Sequence, residues 1–278
     1  MSNEFPRGKK PPTQSPLFWV NQKDRYLRQL LIRDIEELTG RDLIIYFTDC
    51  DRTNARIDRT DDCYLAELLG SRSRNEVDLL LETNGGETDA TEKLCSMLHN
   101  AKPDLRVIVP RRAKSNGTVI AFCGKEIVMG PSSELGPIDP SIGGVPVEYL
   151  INANRHVSAD DDRLVVLQMA KDALAQTIGM AKRFLKTGML SGKEEYEIEK
   201  IVTKLATKDK YQSHGAVINA TEAETLGLKV TALDENSTLW QKLWLLRTMY
   251  AFDCQQKGYA KLFESNNISL PVSDVRTQ

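Results

Sequence analysis

Apolar residues recur along this chain in two alternating rhythms. Over 22–39, Tyr26, Leu27, Leu30, Leu31, Ile35 and Leu38 follow helical spacing and Gly40 supplies a stop signal, so the pattern predicts a helix. The next run, 42–48, is continuously apolar in its middle, as a strand covered on both faces should be. A polar connection follows, with Asp61 or Asp62 as the expected N-cap of a short helix through Leu65, Leu68 and Leu69. The alternation then repeats: strand 77–82, a Gly-Gly turn and helix 88–99; strand 105–109, a polar turn and helix 115–123; strand 126–129. Strands and helices alternating at this spacing predict an α/β fold of stacked βαβ units around a mainly parallel sheet.

Beyond 129 the text changes to the turn-rich stretch PSSELGPIDPSIGGVP. A long helix is predicted over 160–186, opened by an aspartate run and stopped before Gly188. Helix 193–206, the block YQSHGAVINA, helix 222–226 and strand 229–232 complete this part. A last helical region over 236–264 carries Leu239, Trp240, Leu243, Trp244, Leu246, Met249, Tyr250 and Phe252, a stripe that suits a core or a contact with another subunit. The expected organisation is a mobile, proline-rich tail at 1–16, a catalytic core at 17–235 and a C-terminal helical extension at 236–278 that serves oligomerisation.

Composition narrows the classes of function. With 37 Lys+Arg against 39 Asp+Glu, the 278-residue chain lacks the basic excess of a phosphate-driven nucleic-acid binder. Its five cysteines, Cys50, Cys63, Cys95, Cys123 and Cys254, are odd in number and form no C-x-x-C pair, so they read as reduced, buried thiols. His99 and His156 have no metal-ligand spacing, and neither a metal nor another cofactor is expected. No apolar stretch approaches the roughly 18 residues of a spanning helix. The expectation is a cytoplasmic protein with no membrane insertion.

Two turns at the carboxyl ends of neighbouring predicted strands concentrate the candidate chemistry, because open parallel sheets place ligands there. The first is Thr83-Asn84-Gly85-Gly86-Glu87, whose glycines leave backbone N–H groups unobstructed at a helix N-terminus. It is either an oxyanion cradle or simply a tight turn. The second, Ala113-Lys114-Ser115-Asn116-Gly117, has the A-x-S-x-G form that exposes a serine hydroxyl at a strand-to-helix elbow. Ser115 is either a nucleophile or a helix cap. Arg106, Arg111, Arg112 and Lys114 form a local basic cluster, read as a solvated rim or as a receiver for an acidic segment.

The segments LLLETNGGETDATEKL, KPDLRVIVPRRAKSNGTVIAFCGKEIVMGPSSELGPIDPSIG and YQSHGAVINATEAETLGLKV together resemble the serine dehydrogenase proteinase family. That family stands with the signal-peptide peptidase A-like serine proteases in the larger group sharing the Clp protease/crotonase fold. The resemblance implies that Ser115 is the nucleophile, with N–H groups of Gly85 or Gly86 and of Asn116 as the oxyanion hole. It also implies a polypeptide substrate, a homo-oligomer and ATP-independent hydrolysis.

The general base stays open between two residues. In the Clp protease a histidine follows the nucleophile helix, and its place is taken here by Ile138, beside Asp139. Signal-peptide peptidase A-like enzymes use a desolvated lysine, for which Lys171 is a candidate at the border of the long helix's apolar arc; the family's own lysine falls one residue later, on Asp172. His214, in the block YQSHGAV, is the other candidate, and Asp139 either orients a base or closes a turn. Two other functions fit the same residues: a catalytically silent scaffold, and a crotonase-like acyl-CoA enzyme that would bind a CoA nucleotide.

Overall fold

The computed structural model describes residues 13–101, 104–153 and 161–273; most of the expected tail, and His156, lie outside these. Helix α1 (Pro16–Asn21) starts where the Ser15 hydroxyl accepts a hydrogen bond from the Phe18 N–H, and α2 (Lys23–Thr39) ends at Gly40, whose φ of 72° only glycine adopts freely. Strand β1 (Asp42–Thr48) is buried at every position. It is followed by α3 (Asp61–Gly70), β2 (Glu76–Glu82), α4 (Thr88–Asn100) and β3 (Asp104–Val109). The two-residue strand β4 (Arg112–Ala113) leads to α5 (Asn116–Ala121), then β5 (Ile127–Met129) and β6 (Glu134–Leu135). A small hairpin of β7 (Ser141–Ile142) and β8 (Val145–Pro146) precedes α6 (Val147–Ala153), α7 (Asp161–Thr187), α8 (Glu195–Ala206), α9 (Ala220–Leu226) and β9 (Val230–Ala232). The chain finishes with α10 (Thr238–Lys257), β10 (Tyr259–Glu264) and β11 (Ser269–Ser273).

The central sheet has the order β11-β10-β1-β2-β3-β5-β9. From β1 to β9 its strands are parallel, as the alternating pattern predicts. Side chains alternate across it with period two. Tyr46, Leu79, Leu81, Val107 and Met129 face a core shared with α4, α5, α7 and α8, while Leu43, Ile45, Phe47, Leu80 and Ile108 pack against Ile32 and Ile35 of α2 and Leu243, Leu246 and Tyr250 of α10. The result is an α/β sandwich with helices on both faces of the sheet.

The C-terminal region departs from the expected helical extension. Helix α10 stops at Gly258 (φ 71°), and the residues after it form two strands, β10 running antiparallel to β1 with Ile45 opposite Glu264 and Thr48 opposite Lys261. These strands are part of the main sheet rather than an appendage. Trp240 is likewise internal: it is 5% exposed and lies so close over Gly130 that a Cβ there would sit 2.3 Å from the indole ring. At α3 the N-cap is Thr60, not an aspartate; Asp61 is the first helical residue and is buried, bonded to the Tyr46 hydroxyl at 2.5 Å and to Lys261 at 2.7 Å.

Candidate active site

Ser115 sits at the N-cap of α5 with φ 52° and ψ −124°, and is the one described non-glycine residue with positive φ. Such a conformation costs of order 1–3 kcal/mol and persists only where its surroundings enforce it. Its side chain makes no capping hydrogen bond to the helix, so the cap reading of Ser115 is not what the geometry carries. The enforcement is visible around it. The Lys114 N–H donates to the Thr83 carbonyl at 3.0 Å, the Thr83 N–H to the Arg112 carbonyl at 3.0 Å, and the Gly117 N–H to the Lys114 carbonyl at 2.8 Å. The Thr118 hydroxyl lies 2.7 Å from the Ala113 carbonyl and 2.9 Å from that of Gly136, and accepts the Gly136 N–H at 3.1 Å.

The glycine turn faces this elbow directly. Gly85 (φ 94°) approaches so closely that a Cβ on it would lie 2.8 Å from the Ser115 Cβ and 3.1 Å from the Asn116 nitrogen. The Gly85 N–H itself donates to the Thr83 hydroxyl at 3.1 Å. The N–H groups of Gly86 and Asn116, by contrast, make no hydrogen bond among the described residues. Asn116 also ties the two turns, its side-chain amide donating to the Gly86 carbonyl at 2.7 Å. Behind the glycines a strap at Ile57 closes the turn, donating to the Gly85 carbonyl at 2.9 Å and accepting the Glu87 N–H at 3.0 Å. Asn84, Gly85 and Gly86 form one wall of a cleft of about 310 Å³ whose other wall includes Cys50, Arg52 and Arg56.

Asp139 and His214 come together 75 residues apart in sequence, with His214 Nδ1 2.8 Å from Asp139 Oδ1. The other carboxylate oxygen is 2.5 Å from Lys208 Nζ, a buried lysine that sequence reasoning did not single out. Burial alone would raise the Asp139 carboxyl, but the hydrogen bonds and charges of His214 and Lys208 outweigh it and hold the group below its ordinary value. Both loops are tied to the serine elbow. Strand β4 pairs with β6, Leu135 exchanges backbone bonds with Ile218, and Ile138 donates to the Leu205 carbonyl.

Lys114 supplies a further tie and corrects its reading as a solvated charge. Its side chain is 12% exposed, and Nζ reaches the carbonyls of Leu135 (3.2 Å) and Ala216 (2.9 Å) and the carboxylate of Glu134 (3.1 Å). Desolvation lowers its pKa, with Glu134 opposing. Three of its basic neighbours are likewise paired rather than forming a rim: Arg106 with Asp78, Arg111 with Asp51 and Glu82, Arg112 with Glu134. Lys171, the other candidate base, lies on an exposed face of α7 in the single chain. Leu164, Val165 and Met169 of the same helix are more than half exposed, although Ala170 is buried.

Of the five cysteines, Cys50, Cys95 and Cys254 are buried, while Cys63 is exposed and Cys123 intermediate, against the expectation of uniformly buried thiols. Desolvation pushes Cys50 and Cys254 up to about 12, so neither presents a thiolate near neutral pH. Among the described residues no group of three His, Cys, Asp or Glu could hold a metal ion, and no helix is long and apolar enough to cross a membrane.

This fold and its serine elbow are of a known class. The family model of the ClpP-like SDH-type serine proteinase matches residues 65–265, and the chain belongs to that family. Two uncharacterized proteins of Methanocaldococcus jannaschii are similar to it: one is 30% identical over 185 residues (66% of this chain, 61% of the relative), the other 27% identical over 178 residues (63% and 56%). The matched stretches thus span about three-fifths of the relatives' own length. A mutant of the 1510-N membrane-bound stomatin-specific protease is a structural neighbour with TM-score 0.45 and 18% identity, covering 67% of this chain and 79% of that one.

Proposed function

We propose that this chain is a serine peptidase in which Ser115 is the nucleophile, His214 the general base and Asp139 the group that orients it. The observation that carries this reading is the 2.8 Å bond between His214 Nδ1 and Asp139, on loops hydrogen-bonded to the serine elbow. In the proposed cycle the Ser115 Oγ–H proton passes to His214 Nε2 as Oγ adds to the scissile carbonyl. Asp139 accepts the Nδ1–H bond and stabilises the imidazolium. The negative oxygen of the tetrahedral intermediate is received by the Gly86 and Asn116 N–H groups, each such donor contributing roughly 3 kcal/mol. His214 then gives its proton to the leaving amine, and water repeats the sequence on the acyl-serine. Strain at a serine that makes no capping bond favours this reading over a silent scaffold, and a serine at the elbow favours it over acyl-CoA chemistry, which needs none there.

The substrate class we propose is polypeptide, entering by the cleft beside Gly85 and Gly86. A homo-oligomer is the assembly we propose; the exposed Leu164, Val165 and Met169 of α7 offer it an apolar surface, and light scattering after gel filtration tests it. The activity is tested by fluorophosphonate labelling and hydrolysis of a fluorogenic peptide library. Wild type should label once and cleave, whereas Ser115→Ala should do neither and His214→Gln should lose at least about a thousandfold in rate. Full labelling and cleavage by Ser115→Ala would overturn the reading.

A further inference from the structure

Asp139 has two carboxylate oxygens, and each is claimed from a different direction. Oδ1 takes His214 Nδ1 at 2.8 Å and Oδ2 takes Lys208 Nζ at 2.5 Å. The side chain of Lys208 is 8% exposed and that of Asp139 6%, whereas His214 remains 46% exposed. A lysine is rarely so buried, since its ammonium is compact and strongly hydrated. Its root is fixed by a second element: the Lys208 N–H donates to a Glu148 carboxylate oxygen on α6 at 2.6 Å. Other charged pairs on these loops are Lys210 with Glu222, and Lys114 with Glu134, whose Lys114 ammonium also reaches the carbonyls of Leu135 and Ala216.

We propose that Lys208 is a positioning residue of the Ser115–His214–Asp139 site: its ammonium occupies Oδ2, so that Asp139 stays charged with Oδ1 turned to His214 Nδ1. The inference rests on the triad reading given above. A terminal carboxylate torsion is broad and two-fold, so a carboxylate with one partner can swing and exchange its oxygens. Two partners in fixed directions stop that motion. The charge state matters as much as the direction. A buried carboxyl without the ammonium would take up a proton at higher pH, because burial disfavours its ionised form. A protonated Asp139 would donate to Nδ1 instead of accepting from it. The imidazole would then carry its proton on Nε2, the atom that must receive the serine proton, and that tautomer cannot act as the base.

The test is the pH profile of kcat/KM between about pH 4 and 8 for Lys208→Met and Lys208→Arg, with Asp139→Asn and His214→Gln alongside. In Lys208→Met the acid limb should move up by about one pH unit and kcat should fall about tenfold with KM little changed. Lys208→Arg, which keeps the cation, should restore the limb and most of kcat. Lys208→Gln carries the same expectation as methionine and replaces it if that variant does not fold. A folded Lys208→Met or Lys208→Gln with the wild-type profile overturns the inference. So does an arginine variant as impaired as methionine, since shape rather than charge would then be responsible. Undiminished activity in His214→Gln is a different outcome: it removes the triad reading itself.

Discussion

Replacing Gly85 by alanine tests the proposed chemistry through steric contact alone. The new Cβ would lie 2.8 Å from the Ser115 Cβ and 2.9 Å from the Lys114 carbonyl oxygen. Ordinary carbon–carbon contact is roughly 3.5–4.0 Å, so about 1 Å must be yielded between two backbones. Neither can move freely, because Gly85 is bound to Ile57 and the serine elbow to Thr83. The atom pushed is the one that carries the hydroxyl. A displacement of that size costs about a hundredfold in kcat. Alanine at φ 94° adds about 1–2 kcal/mol of backbone strain, read as a loss of unfolding free energy in urea. Gly179→Ala is the control: nothing lies within 4 Å of its Cβ on an exposed face of α7, so it should stabilise by about 0.5–1 kcal/mol and leave activity alone. A Gly85→Ala enzyme with wild-type kcat/KM would refute the close opposition of turn and nucleophile as the basis of catalysis.

Other expectations concern stability and reactivity. Burial would raise the Asp42 carboxyl, but hydrogen bonds from Ser73 and Arg74 bring it below its ordinary 3.8. Its stabilisation is therefore complete above that value and lost as pH falls through the lower folded one. Asp42→Asn should cost about 1–3 kcal/mol at neutral pH and flatten the acid side of the stability curve, measured by urea unfolding at stepped pH. Gly130→Leu must displace Trp240 and should destabilise by about 1–3 kcal/mol, with a changed near-ultraviolet dichroism of the indole; an unchanged melt would contradict the packing. Thiol titration of the native protein should show Cys63 reacting before the buried thiols, slowed by the Asp62 carboxylate that raises its pKa and lost in Cys63→Ser, while Cys50, Cys95 and Cys254 react only on unfolding.

The parallel half of the sheet was legible because its strands centre on short, dominantly apolar runs, a signal that survives without knowing the neighbours. The two last strands were not, and the reason lies in their polar residues. In YAKLFE the lysine and glutamate are buried, Lys261 against Asp58 and Asp61, Glu264 against Arg28 and the Tyr250 hydroxyl. Partners 200 or more residues away hid the strand and let the helical stripe before it seem to continue. Ser115 and the glycines were readable from turn chemistry, since both turns are local. Lys208 was not, because only the fold brings it to Asp139. The exposure of Lys171 was not legible either, because a helical wheel gives direction but not cover.

Strand β10 also bears on how the chain is made. Until residues 259–264 leave the ribosome, β1 has β2 on one side and an open hydrogen-bonding edge on the other. The nascent chain thus carries an exposed strand edge, apolar from Leu43 to Phe47, through most of its synthesis, at 5–20 residues per second for roughly ten seconds or more. Loop closure over some 200 residues makes this pairing a late and slow event. The aggregation risk of this protein is accordingly set during translation, and a chaperone that shields β1 would matter more to its yield than the stability of the finished sheet.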